Sequence, residues 1–253
     1  MSHHIIRADD VHYAYPDGFQ ALKGVSFLIT HGESVAVVGA NGAGKSTLLM
    51  HLNGLLLPSR GALRVGDYPV TKETVHHIRR TVGMVFQNSD DQLFMPTVYD
   101  DVAFGPLNLG FPHDEINGRV QTTLETVGAA HLINRPTHRL SGGEKRRVAI
   151  ATVLSMTPDI LILDEPTSDL DPGARRRLIE LLKTFTHTKI IATHDLDMVL
   201  DLCERTIIMN EGRIVADGKS VDLLRDEALL QKSSLEKPLR FQGCPVCGKR
   251  KKK

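Results

Sequence analysis

Eight residues in the N-terminal part of the chain have the types and spacing of a phosphate-binding loop. They match the pattern GxxxxGK[ST] and are Gly39, Ala40, Asn41, Gly42, Ala43, Gly44, Lys45 and Ser46. Glycines let backbone N–H groups surround an anion, and the helix that follows adds its positive N-terminal end. Lys45 can serve the outer phosphates and Ser46 can hold Mg²⁺. A plain glycine turn with a surface lysine is the alternative.

Two acidic residues end the apolar run ILILDE, residues 160–165. Such a run predicts a buried strand that delivers Asp164 and Glu165 to its carboxyl end, where open α/β sheets bind ligands. One acid can order the water shell of Mg²⁺, and its neighbour can polarise an attacking water. His194 ends another predicted strand, and we expect it to face a phosphate. Asp195 then has the position of a helix N-cap.

The stretch LSGGEKRRVAIATVL, residues 140–154, places two glycines at the start of a predicted helix. Each glycine costs a helix about 1 kcal/mol relative to alanine. Apolar residues behind Gly142 and Gly143 nevertheless recur at helical spacing. Ser141 and Glu144 have the spacing of a capping box, which is a local role.

Several short apolar runs predict the strands that position these residues. They lack alternation, which is typical of parallel strands covered on both faces by helices, and they occupy residues 34–39, 83–87, 160–165, 189–194 and 205–210. Helices are predicted at Lys45–Leu56 and Asp195–Cys203. Residues 88–158 lack strong strand signals and predict an inserted helical lobe. From about Asp217 the sequence becomes polar.

Composition restricts the functional class. The chain has 253 residues, a hydrophobic content of 41% and a net charge of +1, so no overall field favours nucleic acid as a partner. Three cysteines make no disulfide framework, which favours a reducing cytosol. The N-terminus predicts no signal peptide, and no apolar run reaches the roughly 18 residues of a membrane-spanning helix.

The phosphate loop, LSGGE and ILILDEP occur in this order, and over residues 5–220 the chain resembles the ATPase subunits of ABC transporters. The resemblance implies an α/β fold with a RecA-like P-loop NTPase core, an inserted helical lobe at about 88–158 and an N-terminal antiparallel β region. It implies an ATPase domain over residues 1–220, followed by a C-terminal extension, residues 221–253.

In this family two subunits pair head to tail, and each ATP lies between one subunit's phosphate loop and the other's LSGGE motif. The resemblance therefore implies a second ABC ATPase subunit as partner, with a homodimer expected. Ser141, Gly142 and Gly143 would face the partner's γ-phosphate, and Glu144 belongs to the same motif. Glycines there permit close backbone approach to an anion. In Glu144 this chain departs from the glutamine of many members, mildly, because the side chain faces the cap.

The resemblance assigns further roles residue by residue. Glu165 corresponds to the general base and His194 to the switch histidine; Asp169 and Asp171 belong to a loop that crosses the dimer interface. Mg²⁺ would be held by Ser46 and Gln87, and by Asp164 through water. The implied ATP-binding residues are Tyr15, stacking on adenine, Gly39, Ala40, Asn41, Gly42, Ala43, Gly44, Lys45, Ser46, Thr47 and Gln87. Simple packing is the alternative role for Tyr15.

Residues 88–110 resemble a subfamily, the ATPases of cobalt/nickel and vitamin importers of the energy-coupling-factor class. DDQLF, DDVAFGP and GGEKRRVAIA carry this likeness, while Ser89 replaces an expected proline. It implies a peripheral position on the cytoplasmic face of the membrane, docked to a transmembrane coupling subunit. Cargo is read by a separate substrate-binding membrane subunit, so metal ion and vitamin both remain open. A non-transport ABC ATPase and an ATP switch without turnover are less favoured alternatives.

Other residues suggest metal binding only weakly. The pairs His3-His4 and His76-His77 are adjacent in sequence, and adjacent side chains are expected to point apart. Cys244 and Cys247 form half of a zinc site, for which a reduced tail is the favoured interpretation. The final GKRKKK could contact anionic lipid or solvent.

Overall fold

The computed structural model describes residues 6–242. Within this range the chain forms ten strands and nine α-helices. The strands are β1 (Ile6–Ala14), β2 (Gln20–Ile29), β3 (Ser34–Val38), β4 (Arg60–Val65), β5 (Tyr68–Pro69), β6 (Val82–Val85), β7 (Ile160–Asp164), β8 (Thr188–Ala192), β9 (Arg205–Asn210) and β10 (Arg213–Lys219). The helices are α1 (Lys45–Leu52), α2 (Val75–Thr81), α3 (Val98–Asn108), α4 (His113–Thr126), α5 (Gly142–Leu154), α6 (Pro172–Thr184), α7 (Leu196–Leu202), α8 (Ser220–Leu223) and α9 (Glu227–Lys232).

A six-stranded sheet forms the centre, in the order β10-β9-β3-β8-β7-β6. All neighbouring pairs are parallel except the edge pair β10 and β9. Successive residues of its strands enter opposite cores: Ile160 and Ile162 join one cluster, Leu161 and Leu163 the other. Burial of both faces explains why the sequence shows no alternation.

A second, antiparallel sheet has the order β2-β1-β4-β5. Its apolar residues share a core with α1 and one face of the central sheet. Helix α1 contributes Leu48, Leu49 and Leu52 to this core, and all three are fully buried. Because α1 begins directly after the phosphate loop, its packing fixes that loop against both sheets.

Residues 88–158 contain α3, α4 and α5 and short 3-10 turns, with no strand among them. Arg146 of α5 is buried and donates to the carbonyl of Phe86 at 2.7 Å and to that of Gln87. Burial lowers the pKa of Arg146, but two carbonyl contacts hold its head group. The helices are thus joined to the segment that leaves β6. The domain bounds at 1–220 and 88–158 remain predictions.

The predicted strands and helices are confirmed, with bounds that differ by a few residues at most. The helix predicted to reach Leu56 ends at Leu52, because Gly54 adopts φ 70°. The strand predicted to reach Gln87 ends at Val85, so Gln87 lies beyond it. Strand β10 was missed because its residues are partly exposed at a sheet edge. Among the described helices, none is long and apolar enough to cross a membrane.

Candidate nucleotide site

Two glycines of the phosphate loop are required by the fold itself. A Cβ on Gly39 would lie 2.3 Å from the carbonyl oxygen of Met209, and one on Gly44 would lie 2.7 Å from that of Ala21. Gly44 also has φ 100°, a conformation that favours glycine. These close approaches seat the loop against β9 and β2.

Lys45 and the start of α1 make this loop positive. The Lys45 ammonium donates to the carbonyls of Gly39 and Ala40 at 2.8 and 3.2 Å. Helix α1 has no acidic residue in its first turn and no side chain capping its N-terminal N–H groups. A helix end of this kind attracts an anion.

The loop lines a cleft of about 620 Å³. It brings together most of the predicted site, and its walls are Phe19, Ala21, Gly39, Ala40, Asn41, Gly42, Ala43, Gly44, Lys45, Ser46, Thr47, Gln87, Glu165, His194, Ser234 and Leu235. Phe19, Ala21, Ser234 and Leu235 were missed. Phe19 shares a tight turn with Tyr15, whose N–H donates to the Phe19 carbonyl at 2.9 Å, but no sequence signal indicates Ser234 or Leu235.

Tyr15 is not among the residues that line this cleft, but it contacts Thr47, which is. Its hydroxyl is 3.0 Å from the Thr47 hydroxyl, and its ring packs edge-on against Tyr13 at 5.1 Å. Phe19 lines the wall and is 58% exposed. Tyr15 and Phe19 are therefore the two candidates for stacking on adenine, and the stacking role of Tyr15 remains a prediction.

Asp164 has the surroundings of a divalent-cation ligand. It is 3% exposed, and its Oδ1 has no hydrogen-bond partner in the described part of the chain. Burial raises the pKa of Asp164, while a hydrogen bond from the Ser46 hydroxyl opposes that shift. Gln87 and Ser46 line a neighbouring cleft of about 510 Å³ with Asp164. These oxygen donors suit Mg²⁺, and the buried, unpartnered oxygen fits a hydrated ion.

Glu165 and His194 form a contact across the ends of β7 and β8. The Glu165 Oε2 lies 2.8 Å from His194 Nδ1 and accepts from the Thr193 hydroxyl at 3.1 Å and the His194 N–H at 3.2 Å. Glu165 is 6% exposed, whereas the His194 side chain is 70% exposed. Glu165 has φ 43°, a strained conformation that often marks a functional position. The carboxylate is held in place and faces the cleft.

The predicted capping box at α5 is present. Ser141 Oγ accepts from the Glu144 N–H at 3.4 Å, and Glu144 Oε2 accepts from the Ser141 N–H at 2.7 Å. Arg135 pairs with the same carboxylate at 3.1 Å. The Ser141 N–H lowers the pKa of Glu144. Glu144 thus faces the cap, as expected.

Within residues 6–242, no contact requires the glycines of α5. A Cβ on Gly142 would meet no atom within 4 Å, and one on Gly143 would lie 3.9 Å from Leu170. Gly142 lines the smaller cleft, but neither Ser141 nor Gly143 lines the phosphate cleft. The helix start is open to a molecule from outside.

The loop after Glu165 leads into α6. Asp169 has φ 61°, and Asp171 caps α6 by accepting from the Ala174 N–H at 2.8 Å. That hydrogen bond lowers the pKa of Asp171. Asp171 therefore has a role in its own subunit, and the interface role of both residues remains a prediction.

The features that suggested metal binding lead to one correction. The rings of His76 and His77 do not point apart; their centroids are 3.9 Å apart, and His77 stacks on Tyr68 at 4.5 Å. Among residues 6–242, no group of three His, Cys, Asp or Glu side chains could hold a metal ion. His3, His4, Cys244 and Cys247 lie outside the described residues.

Sequence comparison identifies the family. The model described as "ABC transporter" matches residues 22–168. A putative ABC transporter ATP-binding protein of Geobacter sulfurreducens is 66% identical over 98% of this chain and 100% of its own length. The energy-coupling factor transporter ATP-binding protein EcfA of Methanothermobacter thermautotrophicus is 46% identical over 92% of this chain and 77% of its own. The chain belongs to the ABC transporter family.

Solved structures agree with this assignment. CbiO1 of Clostridium perfringens, part of the ABC transporter complex cbiONQ, has a TM-score of 0.79 and 42% identity over 91% of this chain and 94% of its own. The ATP-binding cassette MJ0796, dimeric and bound to ADP and Pi in a post-hydrolysis state, has a TM-score of 0.78 and 28% identity, covering 85% and 98%. The chain is an ABC-type, ATP-hydrolysing cassette with a P-loop NTPase fold.

Proposed function

We propose that this chain is the ATP-hydrolysing motor subunit of a membrane importer of the energy-coupling-factor class, with cobalt or nickel ions as cargo. The proposal rests on one observation: the same chain has a preformed phosphate-binding loop before α1 and an unobstructed, glycine-containing N-terminus on α5. The similarity to EcfA and CbiO1 supports the class. A vitamin importer of that class is the alternative, because the cargo is bound by a different subunit.

ATP binding begins at the phosphate loop. Lys45 releases loop carbonyls and turns to the outer phosphates, and the N–H groups at the start of α1 contact the anion. Ser46 and Gln87 would hold Mg²⁺, with Asp164 acting through water, and the ion would offset phosphate charge when bound. The adenine stacks on Tyr15.

Hydrolysis depends on Glu165 as general base. Its buried carboxylate is held by the Thr193 hydroxyl and the His194 N–H, so it can accept a proton from a water near the γ-phosphate. The exposed His194 ring reaches the same phosphate and bonds Glu165 through Nδ1. The two residues thereby link the terminal phosphate to β7 and β8.

A second copy of this chain completes each site. Ser141 presents its hydroxyl and Gly142 and Gly143 present bare N–H groups to the partner's γ-phosphate, while Glu144 keeps the cap in place. Asp169 and Asp171 lie in the loop that crosses the interface. ATP closes this homodimer because its phosphates contact helix N-termini of both subunits, and hydrolysis reopens it.

The helical lobe transmits this motion to the membrane. Gln92 accepts from the Phe86 N–H at 3.1 Å and donates to the Ala149 carbonyl at 2.7 Å. Next to it, Phe94 and Phe104 pack edge-on at 4.9 Å and are 63% and 41% exposed. We assign this apolar surface to a transmembrane coupling subunit at the cytoplasmic face, beside a substrate-binding membrane subunit.

The deciding experiment compares wild type with Glu165→Gln in Mg²⁺-ATP. We expect phosphate release to fall by about 10²–10⁴-fold, the usual contribution of a general base, while an ATP-dependent dimer persists longer in sedimentation. Glu180→Gln, on the exposed face of α6, is the matched control and should hydrolyse normally. Unchanged turnover in Glu165→Gln would refute the catalytic assignment. Uptake of labelled nickel, cobalt and vitamins by cells with and without the intact gene then decides the cargo.

A further inference from the structure

The C-terminal segment 233–242, which we name the strap, returns to the nucleotide cleft. Two of its residues, Ser234 and Leu235, line the cleft together with the phosphate loop, Glu165 and His194. Neither residue belongs to a motif, and the cassette's known motifs end well before them. The strap is thus a wall of the site that the family motifs do not account for.

A sharp turn aims the strap at the cleft. At the end of α9, Ser234 has φ 55°, a left-handed conformation that is strained for a residue with a side chain. The turn is closed by hydrogen bonds from the Ser234 N–H to the Gln231 carbonyl at 3.0 Å and from the Leu235 N–H to the Leu230 carbonyl at 2.8 Å. Buried Ser233 and Leu230 hold its base.

The other end of the strap is anchored on α7. The Asp197 carboxylate accepts from the Leu239 N–H at 2.9 Å and the Arg240 N–H at 3.1 Å. Arg240 also pairs with Asp201 at 2.8 Å. Lys237 pairs with Glu227, so the strap is fixed to helices on both sides.

Helix α7 connects these anchors to the chemistry. It starts two residues after His194, and its N-cap Asp195 forms a bidentate pair with Arg175 at 2.6 and 2.8 Å. Asp197 lies in the first turn of the same helix. Helix α7 therefore anchors the strap through Asp197 and directly follows His194, and both the strap and His194 line the cleft.

We propose that the strap retains bound nucleotide: Ser234 and Leu235 close part of the cleft wall, and the Asp197 anchor holds them there. This inference rests on the proposed function, since it requires that the cleft bind ATP. Leu235 supplies an apolar wall that excludes water from the nucleotide. Releasing the anchor opens that wall and speeds nucleotide exit without removing any phosphate ligand.

The test measures the dissociation rate of fluorescently labelled ADP from the full-length protein by stopped flow. Asp197→Ala frees two strap N–H groups, and we expect release about five- to tenfold faster with nearly unchanged association. Leu235→Ala should act in the same direction. Asp222→Ala, on exposed α8, is the matched control and should leave the rate unchanged. Ser234→Gly removes the hydroxyl while favouring the left-handed turn, so it separates the contribution of the Ser234 side chain to the cleft wall from that of the turn.

Two truncated chains provide a second test, in case the point variants misfold. A chain ending at Gln242 keeps the strap, and a chain ending at Ser233 lacks it; thermal denaturation checks that both are folded. Faster release only from the shorter chain supports the proposal. Equal release from both, or slower release from Asp197→Ala, overturns it and leaves the strap a packing element. If wild type binds no nucleotide at all, the proposed function fails instead, and the two failures are distinct.

Discussion

The glycines of the phosphate loop and those at the start of α5 are constrained in different ways. A methyl group on Gly39 or Gly44 would collide with carbonyl oxygens of the same chain, at 2.3 and 2.7 Å. A methyl group on Gly142 would meet nothing within 4 Å. The first pair is explained by the fold of one subunit, whereas no contact among residues 6–242 explains the second, which we expect to serve a molecule that approaches from outside.

This difference teaches how to separate residues that serve stability from those that serve assembly. Residues in natural proteins usually agree with the propensity of the element they occupy. Two glycines at a helix start lower helix propensity, and here no contact among residues 6–242 compensates for that loss. The capping box at Ser141 keeps the helix despite that cost. The expected compensation is a phosphate held by a second subunit.

The largest expected effect comes from mixing two inactive variants. Lys45→Ala disables the phosphate loop, and Gly143→Asp places a carboxylate where the partner's phosphate would bind, although an acid in the first turn suits the helix. Each protein alone should hydrolyse almost no ATP. An equal mixture should recover about a quarter of wild-type activity, since half of the dimers contain one intact site of two.

The control for mixing uses two residues from the same half of the site. Lys45→Ala mixed with Glu165→Gln should stay inactive, because no combination of these chains gives an intact loop and base together. Phosphate release measures both mixtures. Recovery in this control, or none in the first mixture, contradicts the head-to-tail arrangement.

A second prediction compares the effect of single glycine substitutions on stability with their effect on ATP hydrolysis. Gly143→Ala should leave the free energy of unfolding unchanged or raise it by up to about 1 kcal/mol, while hydrolysis falls at least tenfold. Gly39→Ala should lose about 1–3 kcal/mol of stability through overpacking against Met209. Denaturant unfolding and phosphate release are measured on both. Equal destabilisation by the two substitutions would remove the distinction drawn here.

The same contrast explains what the sequence could predict. The five parallel strands of the central sheet, the phosphate loop, Asp164, Glu165 and the capping box follow from local patterns, because each depends on near neighbours in sequence, whereas the N-terminal antiparallel sheet was expected only from the family resemblance. Strand β10 was missed because an exposed edge strand lacks an apolar run.

Contacts between distant segments carried no sequence signal. Ser234 and Leu235 reach the cleft through a turn and an anchor on α7 that no pattern encodes. Phe19 reaches it through the turn with Tyr15. The stacking of His77 on Tyr68 likewise joins two separate elements, α2 and β5. The rings of His76 and His77, which local geometry predicted to diverge, lie 3.9 Å apart.

A third, smaller effect concerns recognition of the adenine base of ATP. Tyr15→Ala should weaken ATP binding about tenfold, in line with the ~1–3 kcal/mol of a base stacked on an aromatic ring, and leave the affinity for tripolyphosphate unchanged. Tyr15→Phe, which loses only the hydroxyl bond to Thr47, should bind nearly as wild type. Calorimetric titration measures both ligands. A larger loss in Phe19→Ala than in Tyr15→Ala would assign the base to Phe19.

The smallest effect tests the cap that supports the open glycines. The pKa of Glu144 is lowered in the folded chain by the Ser141 N–H, so its stabilisation is complete above the ordinary pKa and is lost as pH falls through the lowered one. Glu144→Ala should cost about 1 kcal/mol near neutral pH, and this difference should shrink below about pH 4.3.

Glu144→Gln is the matched control, because glutamine also closes a capping box but carries no charge. It should lose less stability than Glu144→Ala, show no such dependence on pH, and retain hydrolysis, since the side chain faces Ser141 and not the partner's phosphate. Unfolding curves across the acid range measure the first two outcomes. If Glu144→Gln abolished hydrolysis with its stability intact, the carboxylate would belong to the intersubunit site. At this helix start, only the lack of close neighbours around Gly142 and Gly143 would then still distinguish a role in assembly from a role in folding.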